Sequence, residues 1–186
     1  EPYRRQRQMC IRDRCTDDLN RVCPELENCA GDTSIALSQI ADNQEFFEVK
    51  AEYAKDMVTG FIRLNGATVG CVANRSELYN EEGEKTETFE KVLSARGCKK
   101  AAEFVKFCDA FDIPVLTLTN VKGYKATKCS EANMARSAAE LTNAYISATV
   151  PKVNVVVGEA FGSAYLTMNS KSTGADMVFA LSLIHI

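Results

Sequence analysis

Residues 153–168 read VNVVVGEAFGSAYLTM, a run of branched apolar side chains that passes into a turn of small residues. Apolar residues without polar alternation predict a strand covered on both faces, here ending at Gly158. Gly162, Ser163 and Ala164 then open a small-residue helix. A buried strand leading straight into a helix belongs to layered α/β folds.

The same alternation extends upstream. LSARGCKKAAEFVKFCDAF (93–111) sets Ala101, Phe104, Val105, Cys108 and Phe111 in a helical stripe, and IPVLTLTN (113–120) is a β-rich run opened by Pro114. VKGYKATKCSE (121–131) is expected as a loop, and ANMARSAAELTNAYISA (132–148) as a helix ended before Pro151. Further upstream, GFIRLNGATVGCVA (60–73) holds two strand-like runs around Asn65-Gly66, the favoured pair for a tight hairpin. GDTSIALSQIADN (31–43) offers Asp32 or Thr33 as a helix N-cap, with Ile35, Ala36 and Ile40 as its apolar positions. NRSELYNEEGEKTETFEKV (74–92) is polar and expected as a solvated connection with a short helical piece. DMVFA (176–180) is strand-like, and the domain is expected to be incomplete at its C-terminal end.

The two ends of the chain read differently from its interior. LSLIHI (181–186) back-translates as CTG TCT CTT ATA CAC ATC. Its reverse complement, shifted by one base, encodes Met9, Cys10, Ile11, Arg12 and Asp13. Ends related by one inverted DNA repeat are expected of a translated sequencing-library adapter, so residues 1–14 and 181–186 are set apart as adapter-like and 15–180 are taken as the domain. Without Glu1–Arg14 the formal net charge moves from −3 to −6, and the basic cluster of Arg4, Arg5, Arg7, Arg12 and Arg14 ceases to suggest a nucleic-acid or membrane arm.

The sole histidine, His185, falls in the excluded tail, which removes Ser-His-Asp, Cys-His and His-metal chemistry. Cys15, Cys23, Cys29, Cys71, Cys98, Cys108 and Cys129 contain no C-x-x-C pair, so no metal site is expected. Scattered thiols without an apolar run of membrane length lead to a cytoplasmic expectation, with no membrane insertion and no nucleic-acid partner.

The unpaired first-turn amides of a helix bind anionic oxygen, and small side chains let a planar group approach them. Gly162-Ser163-Ala164 fits that role, yet close helix–strand packing selects the same residues, and spacing alone favours packing. Ser163 is no nucleophile, because Phe161 and Tyr165 stand where a nucleophile elbow needs glycines. Lys122, Lys125 and Lys128 surround Gly123 at a strand end, where ligands of α/β sheets usually sit. For any single lysine, an ordinary solvated loop is the favoured explanation.

Three blocks, FFEVKAEYAKDMVTGFIRLNGATVGCVANR, KAAEFVKFCDAFDIPVLTLTNVKGY and ATVPKVNVVVGEAFGSAYLTMNSKSTGADMVFA, closely resemble the carboxyltransferase subunit of biotin-dependent acyl-CoA carboxylases and of methylmalonyl-CoA and glutaconyl-CoA decarboxylases. The similarity is to the C-terminal half of that subunit. It implies an α/β fold of the crotonase-like ββα superhelix kind and carboxyl transfer between carboxybiotin and the α-carbon of an acyl-CoA. It further implies a biotin carboxyl carrier protein, the N-terminal half of a neighbouring subunit that binds most of the acyl-CoA, and a homo-oligomer at full length. The fragment alone is then expected to be inactive.

In that family two backbone amides at a helix start hold the biotin enolate. The resemblance assigns them to Ser163 and Ala164, with Gly123, Gly162 and Tyr165 as cofactor-binding positions and Leu166 as substrate-determining. The family pattern of aromatic-Gly-Gly-Ala-Tyr-Asp becomes Phe161-Gly162-Ser163-Ala164-Tyr165-Leu166 here, and Val-Pro-Gly-Phe becomes Val121-Lys122-Gly123-Tyr124. Two other readings stand beside it. One is a crotonase-type hydratase or isomerase with Glu131 and Glu159 as candidate acid and base. The other is a non-catalytic crotonase-like assembly domain.

Overall fold

A computed structural model describes residues 31–80 and 83–181. The chain runs α1 (Thr33–Ile40), β1 (Phe46–Glu48), β2 (Met57–Leu64), β3 (Ala67–Asn74), β4 (Glu77–Tyr79), β5 (Lys85–Thr88), β6 (Val92–Leu93), α2 (Ala95–Ala110), β7 (Val115–Val121), β8 (Gly123–Tyr124), α3 (Lys128–Ser147), β9 (Lys152–Ala160), α4 (Gly162–Thr167) and β10 (Met177–Ala180). Residues 1–30, 81–82 and 182–186, and with them His185, Cys15, Cys23 and Cys29, lie outside the described residues.

Asn65 and Gly66 form the expected hairpin turn between β2 and β3, with φ of 51° and 77°. Positive φ at both central residues matches the right-handed twist of the flanking strands. Buried Asp42 fixes the turn from outside, because its carboxylate accepts from the N–H of Asn65 at 3.0 Å and of Gly66 at 2.8 Å. The strands it joins pair antiparallel without a slip, from Leu64–Ala67 to Met57–Asn74.

β3 then starts the parallel part of a six-stranded sheet ordered β1-β2-β3-β7-β9-β10. β7 and β9 run parallel to β3 because helical crossovers separate them, α2 before β7 and α3 before β9. Those helices cover one face. Cys98, Ala101, Val105 and Cys108 of α2 and Leu141, Ala144 and Tyr145 of α3 pack there with Met57 and Val72. Leu37 and Ala41, at the end of α1, cover the other face against Val58, Ile62, Cys71 and Leu118. Full burial of each such large apolar side chain stabilises the fold by about 1.5–3 kcal/mol.

Several expectations need correction. Residues 74–92 hold no helix among those described; β4 and β5 form a small antiparallel hairpin and β6 pairs with β8. The 121–131 segment is therefore partly strand, and its end from Lys128 onward already belongs to α3. Phe111 caps α2 and is 64% exposed, because the helix ends one residue earlier. On α1, Ala36 and Leu37 are the buried apolar positions, while Ile35 is exposed. Asp32 is its N-cap, accepting from Ser34 N–H at 3.1 Å.

β9 is not covered on both faces. Val153 and Val155 are only partly buried, and neighbouring Phe179 on β10 is exposed. α1 packs on β1, β2 and β3 and leaves this side of the β9–β10 end open. The opposite side of β9 is polar: Asn154 is fully buried, accepting from Thr119 at 2.8 Å and donating to the Met168 carbonyl at 3.0 Å.

Candidate active site at the parallel strand ends

β9 runs on to Ala160, two residues past the expected stop, so Gly158 lies inside the strand. A Cβ there would stand 2.6 Å from Oδ1 of Asn120. That amide replaces a missing rung, since the β7–β9 register shifts between Thr119 and Val121 and Glu159 N–H donates to Asn120 Oδ1 at 2.9 Å. Asn74, the last residue of β3, completes the tie. Its Oδ1 accepts from Asn120 N–H at 2.8 Å and its Nδ2 donates to the Asn120 carbonyl. Three parallel strands thus end in one side-chain ladder made of Asn74, Asn120 and the backbone at Gly158-Glu159.

α4 leaves from this edge. Phe161 is its N-cap, anchored by its own N–H to the Val121 carbonyl at 3.1 Å, and it offers no side-chain cap. Ser, Thr, Asp or Asn at that position normally satisfies a first-turn donor. Here the amides of Ser163 and Ala164 have no hydrogen-bond partner among the described residues. Gly162 has φ of 56° and open space where a Cβ would sit, so its backbone conformation requires glycine and packing does not. Ala164 is buried against the core of α2 and α3, whereas Ser163 is exposed. Of the two explanations for the small residues, helix–strand packing accounts for Ala164 alone.

Tyr124, on β8, reaches the same turn. Its hydroxyl lies 3.0 Å from the Ser163 carbonyl oxygen and 2.7 Å from Thr167 Oγ1, which itself donates to the Ser163 carbonyl at 3.1 Å. Phe161 and Leu166, the residues before and within this turn, are exposed apolar side chains, at 58% and 46%. Tyr165 is partly buried against the main core. The structure therefore brings Gly162, Ser163, Ala164, Tyr165 and Leu166 together with Tyr124 on one edge. Gly123 follows β7 on β8, with open space at its missing Cβ.

The lysines separate into different roles. Lys122 pairs with Glu159 at 3.3 Å, and Lys91 approaches the same carboxylate at 3.4 Å. Lys91 has no counterpart among the sequence-derived candidates, since it lies in a polar connection far from position 159 in the chain. Lys125 donates its backbone N–H to the Leu93 carbonyl, and Lys128 starts α3. Glu131 is an exposed residue in the first turn of α3, on a different element from Glu159. Burial pushes the thiols of Cys98 and Cys108 up to about 12 and that of Cys71 higher still, so these cysteines stay protonated and pack as small apolar groups. No group of three metal-ligating side chains occurs among the described residues, and no described helix is long and apolar enough to cross a membrane.

Phe161, the aromatic residue of the pattern noted in the sequence, takes the N-cap position of α4. An aromatic residue there leaves the first-turn donors without a side-chain cap, whereas the reach of Tyr124 to Ser163 has no sequence signal.

Residues 4–184 match a family model described as carboxyl transferase domain. A putative propionyl-CoA carboxylase beta chain of Bacillus subtilis (strain 168) is 40% identical over 163 residues, which are 87% of this chain and 30% of that protein. The methylmalonyl-CoA decarboxylase subunit alpha of Propionigenium modestum is 36% identical over 174 residues, covering 89% of this chain and 32% of that one. The crystal structure of transcarboxylase 12S, a hexamer with hydrolyzed methylmalonyl-coenzyme A bound, superposes with a TM-score of 0.74 at 36% identity, covering 90% of this chain and 32% of that one. The chain thus spans less than a third of the length of these relatives.

Proposed function

The chain belongs to the carboxyl transferase domain family and has the crotonase-like α/β fold, and from that premise we propose that it forms the carboxybiotin side of a biotin-dependent acyl-CoA carboxyltransferase. One observation carries the reading: the first turn of α4 is uncapped, with the Ser163 and Ala164 amides open among the described residues. These residues fit a ureido oxygen, because Gly162 and Ser163 put no bulk over the donors and no cap competes for them.

Carboxybiotin, delivered on a carrier protein, supplies the carboxyl group that moves to the acyl-CoA α-carbon. The two amides hold the ureido oxygen and favour negative charge on it, helped by the partial positive charge of the helix start. The Tyr124 and Thr167 hydroxyls hold the Ser163 carbonyl and so aim the next N–H. Gly123 and Tyr165 border the cofactor, and Leu166 faces the acyl group. The acyl-CoA pocket comes from the N-terminal half of a neighbouring subunit in a homo-oligomer, so the 186-residue chain alone has no turnover.

A hydratase or isomerase needs a free acid–base pair. Glu159 is engaged by Lys91 and Lys122, and Glu131 sits on another element. Avidin separates the readings. Carboxyl transfer by the whole protein is expected to stop when avidin sequesters biotin. Avidin-resistant turnover of acyl-CoA would overturn the proposal in favour of hydratase chemistry, and a folded whole protein without biotin-dependent turnover would leave an assembly role.

A further inference from the structure

Glu159 stands on β9 two residues before Phe161, the N-cap of α4. Its carboxylate faces two ammonium groups, with Oε1 3.4 Å from Lys91 Nζ and Oε2 3.3 Å from Lys122 Nζ. Oε2 is buried and accepts no hydrogen bond among the described residues, so the charge of Lys122 offsets its loss of water. Lys122 occupies the proline position of the Val-Pro-Gly-Phe pattern, and no ring fixes φ there.

Lys91 and Lys122 belong to one ribbon. The Lys122 N–H donates to the Lys91 carbonyl at 2.7 Å, and β6 then pairs with β8 through Val92–Gly123 and Leu93–Tyr124. A strand pair this short is marginal by itself. The ribbon carries Tyr124, whose hydroxyl meets the Ser163 carbonyl, while β9 leads into α4 and Ser163 itself. Beside the carboxylate, Phe161 N–H donates to the Val121 carbonyl at 3.1 Å and joins the two parts through their backbones. One backbone bond alone would act as a swivel. The Glu159 pairs, set next to it, hold the ribbon at one angle to the start of α4.

We propose that Glu159, through Lys91 and Lys122, is a positioning residue for carboxyl transfer: it locks the β6–β8 ribbon to β9, so that Tyr124 holds the Ser163 carbonyl and aims the Ala164 N–H. This role rests on the carboxyl-transfer reading. The Lys122 side chain is 59% exposed and that of Glu159 29%. Pairs this open contribute little to global stability, so the effect belongs in turnover and not in the melt.

A double-variant cycle in the whole protein tests it. E159Q is expected to lower the kcat of biotin-dependent carboxyl transfer about threefold, with the KM for acyl-CoA and the melting temperature unchanged. K122M is expected to lower it as well, and K122R to rescue it. In a Y124F background E159Q is expected to have no further effect, because the brace acts through that hydroxyl. E103Q, which removes an exposed pair with Lys50 on another part of the surface, is expected to leave kcat unchanged. A fall that repeats in full on top of Y124F would overturn the proposal, as would an unchanged kcat in E159Q or a fall matched by a lower melting temperature. In the 186-residue chain, the Ala164 amide proton resonance is expected to move with E159Q and to stay in place when E159Q is added to Y124F. A parent protein without biotin-dependent turnover would overturn the carboxyl-transfer reading, and an Ala164 resonance indifferent to E159Q would overturn the brace in either case.

Discussion

The hydroxyl of Tyr124 stands 3.0 Å from the carbonyl oxygen of Ser163, across the gap between β8 and α4. The Ser163 carbonyl and the Ala164 N–H belong to one rigid peptide plane and point in opposite directions. A side chain holding the oxygen therefore sets the direction of the hydrogen.

Tyr124→Phe keeps the ring and removes the hydroxyl. One net hydrogen bond amounts to about 1 kcal/mol, or roughly fivefold in rate if it acts on the transition state. In the whole enzyme kcat is expected to fall by about that factor while the KM for acyl-CoA stays unchanged. An equal fall in stability with no change in kcat would make the contact structural only.

Ala164→Pro deletes the second donor itself, and proline is tolerated in a first helical turn. Loss of one such donor costs about 10²–10³ in kcat. Steady-state kinetics beside a thermal melt checks it: unimpaired turnover in a stable variant would remove that amide from the chemistry.

Three glycines separate three physical causes in one set of urea denaturation curves. Gly158→Ala drives a Cβ against the Asn120 amide, which its own hydrogen bonds hold in place, and is expected to cost about 1–3 kcal/mol. Gly162→Ala meets no atom but keeps φ at 56°, and is expected to cost about 1 kcal/mol. Gly123→Ala has open space and no positive φ, so its stability is expected to stay within about 0.5 kcal/mol. Lost turnover in that last variant would then report contact with a ligand.

Lys100 is buried in the core, with its ammonium donating to the Met57 carbonyl at 2.7 Å, and desolvation lowers its pKa to about 8. The folded value lies below the unfolded one, near 10.5, so folding favours the neutral amine. Between about pH 8 and 10.5 the unfolded chain binds more protons, and the contribution of this residue to stability is expected to rise with pH. Denaturation at pH 7.5 and 9.5 is expected to show a rise in the parent that Lys100→Met lacks.

Local rules made much of the fold legible. The Asn65-Gly66 turn, the Asp32 cap and the α2 stripe from Ala101 to Cys108 are each decided by a few neighbouring residues, and the structure keeps them. Failures came where distant chain segments decide. The valines of β9 suit two covers, but which helix lies over them depends on where α1 packs. Residues 74–92 look like a solvated stretch because their strand partners are short and their side chains polar. At the site, the α4 turn was legible as a candidate from its small residues and from the family resemblance. Tyr124 and Lys91 were not, because each acts across a span of chain that no periodicity records.

The Asn74, Asn120 and Gly158 ladder also has a consequence for how such sequences change over time. No one of these positions can be altered alone without leaving a buried amide unanswered or a methyl group in its place. They constitute a single heritable unit spread over three strands. Variants that depart from it are expected to differ at all three together, and a chain carrying two without the third should be found only as a poor folder.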